Sequence, residues 1–490
     1  MRVPALYILV AIGLSGCAPA ADPARPPDLV VVSLDTLRAD RLGAYGNRDG
    51  LTPSLDRFAS EAVLFEHAYT QATNTGPAHA SLFTSRYASE QDAGVRKPAI
   101  APETKTLAEV LDAYGWDTAA FVGGGDLAPE MGIGRGFGTW SSKVDFGSLW
   151  HTTPLALSWL DQRPAGAAPS LLFVHGYDVH MPYLKPTPFG YTRADKDAVG
   201  PGQDAVRSTT ERMLDGWFHG GMSGLMHAET SEVRPRSPDA RARTLAVART
   251  DRVPPREAAA TDLALVRGVY DGSVTYADAM FGLLMAGLQD RGVLDRSVVV
   301  VLSDHGEQLG EDGVFHHSWG VSDAEAHVVL MVRLPGGAEG GRRVTGQVGL
   351  IDVMPTLLEL VGAAPPARIH GQSFAAGLRG EPFAGRPVAW TQGGRDFMLL
   401  GARTPAGRLV YSGMPARSPV AAELVETAAL PGPSFTAHGS LDAAAQGALR
   451  GEMAPWLRTL SPAPAQQDDA TLPDALRASL RAHGYWDVQP

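Results

Sequence analysis

The chain has a single cysteine in 490 residues, Cys17, so no internal disulfide can staple the fold. It is also short of positive charge, with 42 Lys and Arg against 53 Asp and Glu and a formal net charge of −11. That balance argues against a nucleic acid or an anionic membrane surface as partner, because binding a polyanion needs a basic field. An anionic substrate must then be drawn in by a local source of positive potential, such as a metal ion or a helix end. Long apolar runs are lacking as well. Residues 1–16, MRVPALYILVAIGLSG, carry one Arg and an apolar run of about ten residues, which is too short to span a bilayer and matches an export signal.

What is present starts at that cysteine. Leu14-Ser15-Gly16-Cys17 resembles the lipobox of bacterial lipoproteins, in which the cysteine is lipidated and becomes the first mature residue. Residues 18–27, APAADPARPP, read as a flexible Ala/Pro tether. The expected location is the cell envelope, lipid-anchored at the periplasmic face of the outer membrane, with the anchor as the sole membrane contact.

The remaining length suits one large α/β domain over residues 28–380 and a smaller C-terminal α+β subdomain over 381–490. Short apolar, β-branched runs recur at Asp28–Leu34, Thr118–Val122, Leu171–Val174, Val298–Leu302 and Val328–Val332. Helical patterns lie between them at Pro53–Ala62, Thr106–Tyr114, Pro154–Leu160 and Thr261–Leu288. This alternation predicts a mostly parallel sheet covered by helices on both faces. Residues 185–260 break the pattern and predict a lid or insertion; within them Trp217–Met222 either covers a pocket or anchors the segment to the domain surface. Gly407–Tyr411 reads as a strand and Leu472–His483 as a closing helix.

In such sheets ligands bind beyond the carboxyl ends of the strands. Three strand ends carry polar residues: Asp35, His175 to His180, and Asp304-His305. Carboxylates and an imidazole at buried strand ends are costly to desolvate unless paired or metal-bound, and together they suit a divalent ion with oxygen and nitrogen ligands. In Thr75-Gly76-Pro77-Ala78-His79, Pro77 is expected to open a helix with Gly76 as its cap, leaving Thr75 just outside a helix N-terminus that favours an anion or a developing alkoxide. Asp178 and His180, two apart at a strand end, would face one way.

The ordered motifs VVVSLDTLRADRLGAYGN, LTPSLDRFASEAVLFEHAYTQA, FVHGYDVHMPY, YDGSVTYAD, VVVVLSDHGEQLGEDGVFHHS and LIDVMPTLLELVG…GQSF resemble those of sulfatases, members of the alkaline phosphatase superfamily, from Asp28 to Phe374. The resemblance implies an alkaline phosphatase-like fold and a metal-dependent hydrolase of a sulfuric or phosphoric ester, on a small molecule or a glycan. It implies one divalent metal, Ca2+ by family habit with Mn2+ or Zn2+ open because of His305. Asp35, Asp304 and His305 would hold it together with Thr75, while Thr36 stands where many members have a second aspartate. The nucleophile motif of Cys or Ser, any residue, Pro, any residue and Arg falls on Thr75 to His79, so threonine replaces the nucleophile and His79 the arginine. His180 and His317 match groups that contact the substrate's anion or protonate the leaving group, with His175 and Lys185 as weaker candidates.

Sulfatases oxidise Cys or Ser to formylglycine, but threonine can give only a ketone, so Thr75 is expected to act as a plain alkoxide. A protonated His79 would then serve as a weaker clamp than arginine. The alternatives are a phosphodiesterase or phosphoethanolamine-type transferase acting through phospho-Thr75, and a non-catalytic binding lipoprotein.

Overall fold

The computed structural model of the protein describes residues 25–90, 100–144, 146–181, 183, 185, 189, 260–311, 315–318, 320–393, 399–412, 435–439 and 441–459. Cys17 with its signal and tether, nearly all of the 185–260 insertion with Trp217–Met222, and Leu472–His483 lie outside the described residues. Among the described residues no helix is long and apolar enough to cross a membrane.

The first half of the chain supplies β1 (Asp28–Leu34), α1 (Pro53–Ser60), β2 (Val63–Phe65), β3 (Ala68–Tyr69), α2 (Thr75–Thr84), α3 (Leu107–Ala113) and β4 (Asp117–Phe121). Then come β5 (Thr139–Ser141), α4 (Leu149–Gln162), β6 (Ser170–Gly176), the long helix α5 (Ala260–Asp290), β7 (Ser297–Leu302), β8 (Gln308–Leu309) and β9 (Phe315–His316). The short strands β10 (Leu330–Arg333), β11 (Arg343–Val344) and β12 (Val348–Gly349) follow. The eight-stranded central sheet has the order β11-β2-β10-β7-β1-β6-β4-β5. β1 pairs in parallel with both β6 and β7, so the strands that end at the polar residues are adjacent. The run at Val328–Val332 becomes β10, which is antiparallel to β7.

Every residue of β1, β6 and β7 is buried, as expected of strands covered on both faces. Alternate residues divide between two cores. Leu29 and Val31 pack with Phe83 of α2, Leu111 of α3 and Leu357, while Val30, Val32 and Leu34 pack with Phe58 of α1, Ala156 of α4 and Phe281 of α5. Phe58 and Phe281 meet edge to face at 5.5 Å, and burying each ring contributes roughly 2–3 kcal/mol. Asp278 of α5 caps α1 from outside, accepting from the Ser54 and Leu55 N–H groups at 3.0 and 2.8 Å. Strands β13 (Ala389–Gly393), β14 (Leu399–Thr404), β15 (Gly407–Ser412) and β16 (Phe435–Gly439) form a separate antiparallel sheet with its own small core, which includes Leu400, Leu409 and Met453.

Helix α4 starts at Leu149 rather than at Pro154, which lies inside it. The earlier start is fixed by Asp178, whose Oδ2 accepts from the Leu149 N–H at 2.8 Å, while its Oδ1 has no hydrogen-bond partner. Asp178 and His180 do not act as a facing pair, because β6 ends at Gly176 and alternation ends with it.

Burial pushes the Asp178 carboxyl from 3.8 up to about 6. The folded state therefore holds that proton more tightly than the unfolded chain, and stability falls as pH rises through about 4 to 6. Asp178→Asn keeps an acceptor for Leu149 and removes the titration. Its unfolding free energy in urea should therefore gain on wild type by up to about 3 kcal/mol between pH 4 and pH 7. An equal wild-type-to-variant difference at both pH values would contradict this.

Candidate active site

β1 and β7 run side by side with Ser33 opposite Leu302, so the residues just beyond them, Asp35 and Asp304, emerge at the same end of the sheet. Both are buried. The Asp35 N–H extends the ladder to the Gly176 carbonyl at 3.1 Å, after which the backbone turns through Thr36 at φ 56°, a left-handed conformation unusual for threonine. The Thr36 and His305 N–H groups both donate to Asp304 Oδ1, at 3.2 and 2.9 Å. Asp304 Oδ2 and Asp35 Oδ1 have no hydrogen-bond partner. Burial, reinforced by the Asp304 carboxylate beside it, holds the Asp35 carboxyl well above the usual carboxylate range.

Helix α2, buried along all ten of its residues, carries Thr75 into this group. The helix begins at Thr75, so Pro77 occupies its third position rather than its first, and the Asn74 carbonyl accepts from the Ala78 N–H at 2.9 Å. Thr75 Oγ1 donates to Asp35 Oδ2 at 3.0 Å and lies 3.3 Å from His305 Nε2. His305 Nδ1 is 2.9 Å from the Gly306 carbonyl, which assigns the N–H to Nδ1 and leaves the Nε2 lone pair facing Thr75 and the carboxylates.

Asp35, Asp304 and His305 offer ligand atoms within 4.8 Å of one another. Two carboxylate oxygens without partners, one oriented imidazole nitrogen and an adjacent hydroxyl fit a divalent cation, and burying the two carboxylates without one would be costly. Glu307, His316 and His317 form a second buried group within the same limit. Within it the His317 backbone N–H donates to His316 Nδ1 at 2.7 Å, and His317 Nδ1 donates to Glu307 Oε1 at 3.1 Å. The first group, with two carboxylates, an oriented imidazole and the Thr75 hydroxyl beside it, is the better fit to a hard divalent cation.

The histidines expected from the sequence gather here, in different roles. His79 is turned inward. Its Nδ1 donates to the Thr75 carbonyl at 2.8 Å, and its Nε2 meets Ser33 Oγ at 3.0 Å. Burial lowers its pKa, so it is a neutral brace behind Thr75 and not a charged clamp. His175 Nε2 lies 3.4 Å from Asp35 Oδ2, and burial holds that imidazole neutral too. His180 donates from Nδ1 to the Met181 carbonyl at 2.6 Å, and its ring lies 5.2 Å from that of His317, which in turn lies 4.4 Å from that of His305. Lys185 Nζ lies 5.9 Å from the Tyr276 ring. Sequence reasoning missed Glu307, His316 and Ser33. Glu307 follows Asp304-His305 by two residues and His316 adjoins His317, so proximity to recognised positions was the available signal.

The sulfatase family model matches residues 27–363. The chain belongs to the sulfatase family and is a sulfatase-like ester hydrolase. It is 23% identical over 427 residues to an N-acetylglucosamine-6-O-sulfatase of Bacteroides thetaiotaomicron, covering 77% of this chain and 75% of that one. A multifunctional alkaline phosphatase superfamily protein of Trinickia caryophylli is 24% identical over 443 residues, covering 74% and 78%. Among solved structures, the phosphonate monoester hydrolase of Agrobacterium radiobacter superposes with a TM-score of 0.63 at 18% identity, over 89% of this chain and 95% of that one, and so shares the fold.

Because the Asp35 carboxyl favours a bound proton, a cation must displace it, and metal affinity should rise with pH. Calorimetric titration of Mn2+ in buffers of different ionisation enthalpy should show proton release. Affinity independent of pH with no proton release would contradict the assignment.

Proposed function

We propose that the chain is a divalent-metal-dependent hydrolase of an anionic ester, sulfuric or phosphoric, with Thr75 as its nucleophile. The observation that carries this reading is the Thr75 hydroxyl, 3.0 Å from Asp35 and 3.3 Å from His305 Nε2, within the group best fitted to a cation. The mixed set of two carboxylates and an imidazole favours Mn2+ or Zn2+ over Ca2+, which prefers six to eight oxygens. When bound there, the ion supplies Lewis-acid stabilisation of alkoxide and ester oxygen.

The protein's own groups do the rest. Asp35, whose Oδ2 already accepts from Thr75 Oγ1, takes the Thr75 proton as the oxygen attacks phosphorus or sulfur in line, and the bond to the leaving oxygen breaks. His317, its ring 4.4 Å from that of His305, and His180, 5.2 Å from His317, supply the leaving oxygen with a proton. Glu307, bound to His317 Nδ1, leaves Nε2 as the nitrogen that exchanges it. Water then attacks the same phosphorus or sulfur, releasing Thr75 and inorganic phosphate or sulfate. An ordinary alcohol in place of formylglycine favours the phosphoric ester, because phosphoryl groups pass readily to and from unmodified hydroxyls. The kinship with a glycan sulfatase supports a sulfated glycan as the other candidate.

The exported, anchored location also belongs to this proposal, supported by Leu14-Ser15-Gly16-Cys17 and the tether that follows. Cys17→Ala should move the protein from the membrane pellet to the soluble fraction; an unchanged distribution would exclude the lipid anchor.

Thr75→Ala should lower kcat/KM by at least about a thousandfold on whichever of an aryl sulfate, an aryl phosphate and a bis-aryl phosphate the wild type turns over. Acid quench with a 32P-labelled ester should leave label on the Thr75 peptide if the phosphoric arm holds. Unchanged turnover would remove Thr75 from the mechanism.

A further inference from the structure

The turn that follows β1 is strained at one residue and gripped from outside. Thr36 lies at φ 56°, and its N–H is one of two that hold Asp304 Oδ1. Its own hydroxyl has no hydrogen-bond partner, so nothing local to Thr36 maintains the left-handed conformation. The grip comes from α5. The Tyr270 hydroxyl donates to the Thr36 carbonyl at 2.7 Å and accepts from the Arg38 N–H at 3.0 Å, spanning the turn on both sides of Leu37. Arg38 continues the connection, donating from Nη1 to the Glu307 carbonyl at 2.9 Å and to Glu311 Oε1 at 2.8 Å. Tyr270 is fully buried, with its ring packed edge to face on Tyr183 at 5.4 Å.

We infer that Tyr270 is a positioning residue for the metal group: its hydroxyl locks the left-handed Thr36 turn, so that the Thr36 N–H fixes Asp304 and Asp35 is aimed at the same point. The inference rests on the reading of Asp35, Asp304 and His305 as the metal site. A partner one step removed from a ligand typically changes metal affinity by about ten- to a hundredfold. Tyrosine at this position therefore does more than fill the core, because phenylalanine would fill it equally well.

Tyr45 provides a control of the same kind. It too is a buried tyrosine whose hydroxyl bridges backbone groups, accepting from the Leu330 N–H at 2.9 Å and donating to the Phe65 carbonyl at 3.1 Å, and it makes no hydrogen bond to the Asp35–Arg38 turn. Mn2+ titrated calorimetrically into chelator-stripped full-length protein gives the readout. Tyr270→Phe should raise the Mn2+ dissociation constant by about tenfold or more. Tyr45→Phe should lower thermal stability about as much as Tyr270→Phe does and leave the dissociation constant unchanged. Thr36→Gly added to Tyr270→Phe should restore most of the affinity, because glycine adopts the left-handed conformation without strain. Unchanged affinity in Tyr270→Phe, equal weakening in Tyr45→Phe, or no recovery in the double variant would each overturn the inference. Wild-type protein that takes up no Mn2+ would instead refute the metal site itself, and the inference with it.

Discussion

Asp35 and Asp304 are two carboxylates held buried beside one another, and the described residues set imidazoles against them but no Lys or Arg. Two such charges about 4 Å apart repel by about 4 kcal/mol at an effective dielectric of about 20, before the cost of desolvating either. Sheet and helix packing impose that arrangement, since β1 and β7 are adjacent parallel strands locked between two cores. The fold thus builds a place where a cation is the missing term. The surrounding groups make sense as devices to keep it so: the left-handed Thr36 holding one carboxylate, the inward-turned His79 bracing the Thr75 backbone, and Gly306 setting the tautomer of His305.

The same constraint explains how a net-negative chain can act on an anion. Its charge of −11 offers no general attraction, so recognition must be local. A cation between the carboxylates and the first turn of α2 would give that local potential, and the buried, neutral His79 and His175 beside it add no further charge. With a neutral His79 where the resemblance places an arginine, that fixed positive charge is absent, and the proposed mechanism puts its task on the metal and on His180 and His317.

Much of this was legible in the sequence, for identifiable reasons. The strands at 28–34, 170–176 and 297–302 are continuous apolar runs because both of their faces are covered, and polar residues just beyond such runs had to mark the open end of the sheet. Helices were recognised where a period of 3.6 was clear, as in α1 and α5. Errors arose where one residue obeyed a tertiary partner over its local preference. Pro154 looked like a helix start, but Asp178 supplies an acceptor that begins α4 five residues earlier. Pro77 looked like a first position, but the Asn74 carbonyl already accepts the first helical hydrogen bond, from Ala78, and the helix begins at Thr75. The Asp178 and His180 pairing assumed strand alternation past Gly176, where the strand has ended. Glu307, His316 and Ser33 carry no pattern of their own. Their places depend on the short β8–β9 ladder and on a contact between β1 and helix α2, neither of which periodicity reveals.

We propose one cation between Asp35, Asp304 and His305, against Thr75 Oγ1. Anomalous diffraction at the manganese edge, from crystals of the full-length protein grown with Mn2+, tests it directly. One strong peak is expected within coordinating distance of those three residues and of the Thr75 oxygen. A peak held instead by Glu307, His316 and His317, or no peak at either group, would contradict it.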